Sequence, residues 1–215
     1  MDIESQTGNA PLRRLTLASP GETVARWQQI AQQGNVLLHG SPSPDLTVLE
    51  PFLSSKATGE PRCLYATPSL VFAVARGLQK LLGSRHAVMA WEYHWRGRAA
   101  RVYTCLSVRR DLVTRWRELE ANVYVCAAAA FSLIAGQTTP HGTRWSLGLL
   151  RSPAEWGAVE PVMPLAMLRI PLSALPCRIC WHHPGDSHMR VLALSLTRAR
   201  VLARRHSACC GIEQL

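Results

Sequence analysis

The chain has 215 residues, of which 47% are hydrophobic and 18% charged, and a formal net charge of +10. That is enough for one domain with a sizeable core, and no apolar stretch is long enough to span a bilayer as a helix. Only Lys56 and Lys80 are lysines, so arginine supplies the charge, which would draw anions such as nucleotides or nucleic acid.

Met1–Ala10 lacks a basic region followed by an apolar core, so no secretory signal is expected and a cytoplasmic location follows as the starting assumption. Seven cysteines without a paired rhythm are expected as reduced thiols, with Cys63 and Cys126 as small core hydrophobes. Residues 1–20 have no periodicity and read as a flexible arm. From Glu22 to Gln33 the spacing is helical, with Val24, Trp27, Ile30 and Ala31 on one face and Gly34 just past the end. Asn35–Gly40 reads as a buried strand that ends in His39-Gly40-Ser41. Ser41-Pro42-Ser43-Pro44 forces an extended turn. Leu46, Val48 and Leu49 then form a short segment expected beside that strand, and Ser54–Arg62 is a polar loop of the kind that can cover a ligand.

A second short strand ends in Tyr65-Ala66-Thr67. Thr67 suits a helix cap and Pro68 a first helical residue. The helix is expected to run to about Leu82, with Val71, Val74, Leu78 and Leu81 facing the core, Arg76 and Lys80 facing water, and Gly83 as its end. Val88–Trp95 and Arg101–Leu106 predict a β-hairpin. Asp111–Glu120 is a short polar helix or turn, Asn122–Cys126 a strand, and Ala127–Ile134 either strand or helix. Gln137–Thr143 is a loop by composition. Val162–Ile170 and Cys177–Trp181 read as strands that Pro161, Pro164 and Pro171 confine to edges or strand beginnings. Leu192, Leu194 and Leu196 alternate as if finishing a sheet, followed by a basic stretch and a tail over residues 206–215. No linker divides residues 21–205, which are expected to form one domain.

Two side constellations carry chemistry of their own. Cys177 and Cys180, with His182, His183 and His188 nearby, have residue types that hold zinc. If Cys177–Trp181 is a strand, however, the two thiols point to opposite faces and cannot share a metal. Trp91, Tyr93, Trp95 and Tyr103, beside Arg96–Arg101, could stack on bases, and the same alternation is what a half-buried hairpin requires.

The two strand ends that deliver His39 and Tyr65 beside small residues make a binding cleft the strongest functional expectation. The order of the segments LLHGS, LEP before a loop, LYATPS before an alanine-bearing helix, NVYV ahead of Phe131, and EWGAVEPVMPL resembles the ADP-ribosyltransferase-like fold. The resemblance is to the class with a His, a Tyr and a Glu on separate strands, and it covers roughly Val36–Pro176. It implies a single α+β domain with a split, mostly antiparallel β-sheet core and flanking helices.

By position, the resemblance implies NAD as substrate, with ADP-ribose transferred to a macromolecular acceptor, protein or nucleic acid, or NAD hydrolysed. His39 would hydrogen-bond a ribose and Tyr65 would lie against the nicotinamide. Glu155 would hold a ribose hydroxyl and stabilise positive charge as the glycosidic bond breaks. Gly40 and Ser41 would let the dinucleotide approach the backbone, with Thr67 beside them. Glu160 competes with Glu155 for the acidic role. Many members carry a second aromatic on the helix after the Tyr strand, where Val71–Arg76 offers only Phe72. The alternative from another class is a non-catalytic, arginine-rich module that recognises nucleic acid or a protein partner on the same scaffold.

Overall fold

The computed structural model describes residues 13–14, 26–27, 29–31, 33–52, 62–84, 86–96, 100–133, 146–147, 150–151, 155–175, 177, 179–187, 189–194 and 197. The described strands form three sheets. The first has the order β1 (Arg13–Arg14), β11 (Ala166–Pro171), β6 (Glu120–Ala127), β2 (Val36–Ser41). The second is β3 (Leu64–Ala66), β10 (Trp156–Ala158), β7 (Ser132–Leu133). The third is β12 (Ile179–His182), β5 (Ala100–Arg109), β4 (Val88–Arg96), β9 (Leu150–Arg151), β8 (Ser146–Leu147). Pairing is antiparallel except between β1 and β11 and between β5 and β12. The protein is thus α+β, with mostly antiparallel sheets and few helices.

All six residues of β2 are buried, which is why VLLHGS reads as an unbroken apolar run rather than an alternation. On one face, Val36 and Leu38 join Val123, Val125 and Leu168 of the first sheet against helix α1 (Leu70–Leu81). Val88, Leu106 and Val108 of the third sheet close the same core from beyond that helix. On the opposite face, Leu37, Tyr124, Cys126 and Met167 pack with Leu64, Ala66 and Ala158 of the second sheet. Helix α1 is therefore buried nearly all round, and each large side chain it removes from water contributes about 1.5–3 kcal/mol.

The first and second sheets are stitched at one place. Leu38 N–H donates to the Thr67 carbonyl at 2.9 Å and Thr67 N–H donates back at 3.0 Å. Beyond this bridge no further β2–β3 pairing follows among the described residues, so the two strands part at His39. The Ser-Pro-Ser-Pro turn after β2 is pinned by β6. Tyr124 O–H donates to the Ser43 carbonyl, Leu46 N–H donates to the Tyr124 hydroxyl, and Asn122 Nδ2 donates to the Pro42 carbonyl.

Several expectations are corrected. Within the supposed flexible arm, Arg13–Arg14 pair in parallel with Ala166–Met167, which makes β11 an interior strand rather than an edge. Pro171 is accommodated because it ends that strand. Helix α1 begins two residues later than expected, at Leu70 with Ser69 as its cap, and Leu81 is 51% exposed rather than core. Leu49 bridges Val162 near β10 and not β2. Residues 189–194 are helical, with the adjacent Val191 and Leu192 buried, where alternating leucines had suggested a strand. The hairpin is present as β4 and β5. The polar loop expected over residues 54–62 lies outside the described residues except for Arg62, and the loop over 137–143 lies wholly outside them.

Gly34 and Gly83 have φ of +80° and +62°, as helix ends require. Gly40 is glycine for a different reason. A Cβ there would collide with the Ala73 carbonyl oxygen and come within 2.6 Å of the Gly77 nitrogen, both backbone atoms of α1. Gly40→Ala should therefore destabilise the fold by about 3 kcal/mol or more, because neither backbone can retreat. Gly83→Ala, with open space around it, should cost only roughly 1 kcal/mol. Urea unfolding of the two variants beside the parent checks the ranking, and equal losses would refute the close-approach account.

Candidate functional site

The opening between β2 and β3 is bridged by a side chain. His39 Nδ1 lies 2.6 Å from the Tyr65 carbonyl oxygen. A carbonyl only accepts, so the proton sits on Nδ1 and leaves Nε2 as a hydrogen-bond acceptor. The ring is 4% exposed. Its pKa is lowered from 6.5 to about 4, first by burial and then by the positive charge of Lys80, with the Tyr65 carbonyl opposing. At neutral pH this is a neutral imidazole of fixed tautomer.

Tyr65 stands in the middle of β3, opposite Gly157 of β10. Its neighbours Leu64 and Ala66 enter the core beneath the second sheet, so the period of the strand turns Tyr65 to the other face. The Phe52 ring meets it edge-on, with centroids 6.5 Å apart at 62°. The aromatic partner of Tyr65 thus comes from ahead of the loop and not from Phe72, which is buried in α1.

Glu155 precedes β10, one residue before the Trp156–Ala66 pair and two before the Gly157–Tyr65 pair. Strand periodicity puts Glu155 and Tyr65 on the same face of this ladder. The Glu155 carboxylate accepts a hydrogen bond from Arg76 of α1 at 2.8 Å, with its side chain 13% exposed. Glu160 lies past the end of β10 on an exposed bend. Of the two acids, only Glu155 is carried to the face shared with Tyr65.

Gly40, Ser41 and Thr67 are each engaged with the scaffold. Gly40 receives the backbone of α1. Ser41 Oγ accepts Ser43 N–H at 3.2 Å, and Thr67 Oγ1 accepts Ser69 N–H at 3.2 Å. Both hydroxyl residues are buried, at 5% and 6% exposure.

Arg76 and Lys80 are exposed, as expected, and each also makes a contact beside Tyr65 and Glu155. Arg76 grips Glu155, and the Lys80 ammonium lies 4.1 Å from the centroid of the Phe52 ring. The Lys80 pKa is pulled down to about 8, by partial burial first and by the Arg76 guanidinium second. The spacing Phe72-Arg76-Lys80, one residue per helical turn, was the available signal that these side chains share a line along α1.

In the Cys177–His183 segment, His182 is bound into the scaffold. His182 Nε2–H donates to the His86 carbonyl at 2.8 Å, and Ser107 Oγ–H donates to His182 Nδ1 at 2.9 Å. This buried serine–histidine pair ties β5 to β12, and Ser107 at 1% exposure cannot meet a substrate. Both ring nitrogens of His182 are thereby occupied and unavailable to a metal. Burial pushes the Cys177 thiol up to about 12, away from the thiolate that zinc requires. Among the described residues, no group of three or more His, Cys, Asp or Glu side chains converges as a metal site.

No helix among the described residues is long and apolar enough to cross a membrane. Comparison with protein-family models, curated proteins and solved structures returned no match.

The depressed His39 pKa makes a signed prediction. The unfolded chain takes up a proton near pH 6.5 and the folded chain only near 4. Stability from this group is therefore full above 6.5 and falls as pH drops towards 4, by roughly 3 kcal/mol at most. Thermal unfolding of His39→Gln, whose amide can still donate to Tyr65, should lose much of that pH dependence. The lowered pKa of His182 acts in the same direction and persists in the variant. Parent and variant curves that run parallel from pH 6.5 to 4 would refute the assignment.

Proposed function

We propose that this cleft binds NAD and transfers its ADP-ribose to a macromolecular acceptor, protein or nucleic acid, or to water. The observation that carries the reading is that His39, Tyr65 and Glu155 come from three separate strand segments to the place where the first two sheets part. His39 is bonded there to the Tyr65 backbone at 2.6 Å, and Glu155 shares the Tyr65 face. The segment order in the sequence points the same way.

Each group has a chemical task in this reading. The neutral His39 ring offers Nε2 to a ribose hydroxyl, which a protonated ring could not do. Tyr65, braced by Phe52, offers an aromatic face to nicotinamide, worth about 0.5–1.5 kcal/mol. As the glycosidic bond breaks, its electron pair leaves with nicotinamide and positive charge grows on the ribose. Glu155 stabilises that charge, and an acceptor oxygen or nitrogen bonds to the same carbon and releases its proton to water. The Arg76 bond engages Oε1, and a carboxylate accepts several hydrogen bonds, so a ribose hydroxyl can be held beside Arg76 or in its place.

The Arg76–Glu155 ion pair favours a second reading, in which the acid is a structural anchor and the cleft recognises without turnover. The protein is then an arginine-rich binding module for nucleic acid or a protein partner. Binding to nucleic acid would weaken steeply with salt, whereas a stacked nicotinamide would not.

Nicotinamide release from NAD by the purified chain, beside Glu155→Ala and Glu160→Ala, tests the first reading. Release should fall roughly 100-fold or more in Glu155→Ala and stay at the parent rate in Glu160→Ala. No release together with no NAD binding by calorimetry would remove the enzyme reading and leave the binding module.

A further inference from the structure

Helix α1 places two exposed cations one turn apart, Arg76 and Lys80, and among the described residues only Arg76 has a counter-charge. Arg76 is neutralised by Glu155 at 2.8 Å. Among the described residues, no carboxylate lies within ion-pair distance of Lys80. Its surroundings are the face of Phe52 at 4.1 Å, the neutral imidazole of His39, and the guanidinium of Arg76. A ring face attracts an ammonium but accepts no ordinary hydrogen bond, so the three ammonium donors remain to be satisfied by water or a ligand.

The neighbours also say what kind of anion. His39 presents an acceptor, which calls for a hydroxyl donor, and the Lys80 charge is near enough to lower the His39 pKa after burial has done so. A hydroxyl beside a phosphate is the pattern of a sugar phosphate. Phe52 restrains the lysine head over the opening, which reduces the rotamer freedom lost on binding.

We propose that Lys80 is the anion subsite of the cleft. It takes a phosphate or pyrophosphate oxygen of the bound nucleotide, so that the site selects phosphorylated nucleotides over uncharged nucleosides. The identity of the nucleotide rests on the NAD reading above; the anion subsite itself does not.

Calorimetry of the full chain with NAD, nicotinamide riboside and inorganic pyrophosphate separates the two ideas, using Lys80→Gln and Lys80→Arg with their folding checked by circular dichroism. Lys80→Gln should weaken NAD and pyrophosphate by about tenfold or more, the effect of losing one charge-assisted hydrogen bond. Its affinity for nicotinamide riboside should be unchanged. Lys80→Arg should keep most of the affinity for both phosphate-bearing probes. If the parent binds pyrophosphate but not NAD, and Lys80→Gln loses the pyrophosphate, the subsite stands and the NAD reading falls. The proposal is overturned if Lys80→Gln binds NAD or pyrophosphate as tightly as the parent. It is equally overturned if the parent binds neither, or binds the riboside as tightly as NAD.

Discussion

The arrangement depends on a backbone-to-backbone contact between helix α1 and strand β2. Gly40 lies against Ala73 and Gly77, and a Cβ on Gly77 would in turn sit 3.3 Å from the Ala121 Cβ. With two glycines at the crossing, helix and strand approach more closely than side chains would permit. The depth and rotation of α1 are thereby fixed against the first sheet. Everything else in the cleft is referred to that contact. The rotation of α1 turns Arg76 to Glu155 and Lys80 to Phe52, and the position of β2 puts His39 at the edge where β3 departs.

The cleft is electrostatically economical. Burial keeps the imidazole neutral, Arg76 is neutralised by Glu155, and among the described residues no acid pairs with Lys80. These states are interdependent. Lys80 depresses the His39 pKa, and Arg76 depresses that of Lys80. The Lys80 charge lies against the face of Phe52, a placement that the overall charge of +10 could not reveal.

Much of the scaffold was legible in the sequence because its signals are local. VLLHGS and LYA read as buried strands from their composition, the hairpin from its alternation, and α1 from its apolar stripe and Gly83. What failed was non-local. Pro164 and Pro171 argued for an edge, yet β11 is interior because two residues of the N-terminal segment pair with it. The alternation of Leu192 and Leu194 suited a strand, while burial of the adjacent Val191 and Leu192 reflects a helical stretch. Gly40 announced a close approach without saying of what, and its neighbour is α1. The helical wheel placed Arg76 and Lys80 at the surface, where they are, and could not show that they reach Glu155 and Phe52. His39, Tyr65 and Glu155 were found through their order, and the pairing of β3 with β10 supplies a physical reason for preferring Glu155 to Glu160.

The single Leu38–Thr67 bridge has a mechanical consequence. A continuous ladder between β2 and β3 would resist separation with a row of hydrogen bonds, each reinforcing the next. Here the described backbone offers two, and past them the load passes to the His39–Tyr65 contact. The seam is therefore compliant at the end where the imidazole sits and stiff at the other. A molecule wedged beside His39 would work against one side-chain hydrogen bond, with the remaining core of both sheets left undisturbed.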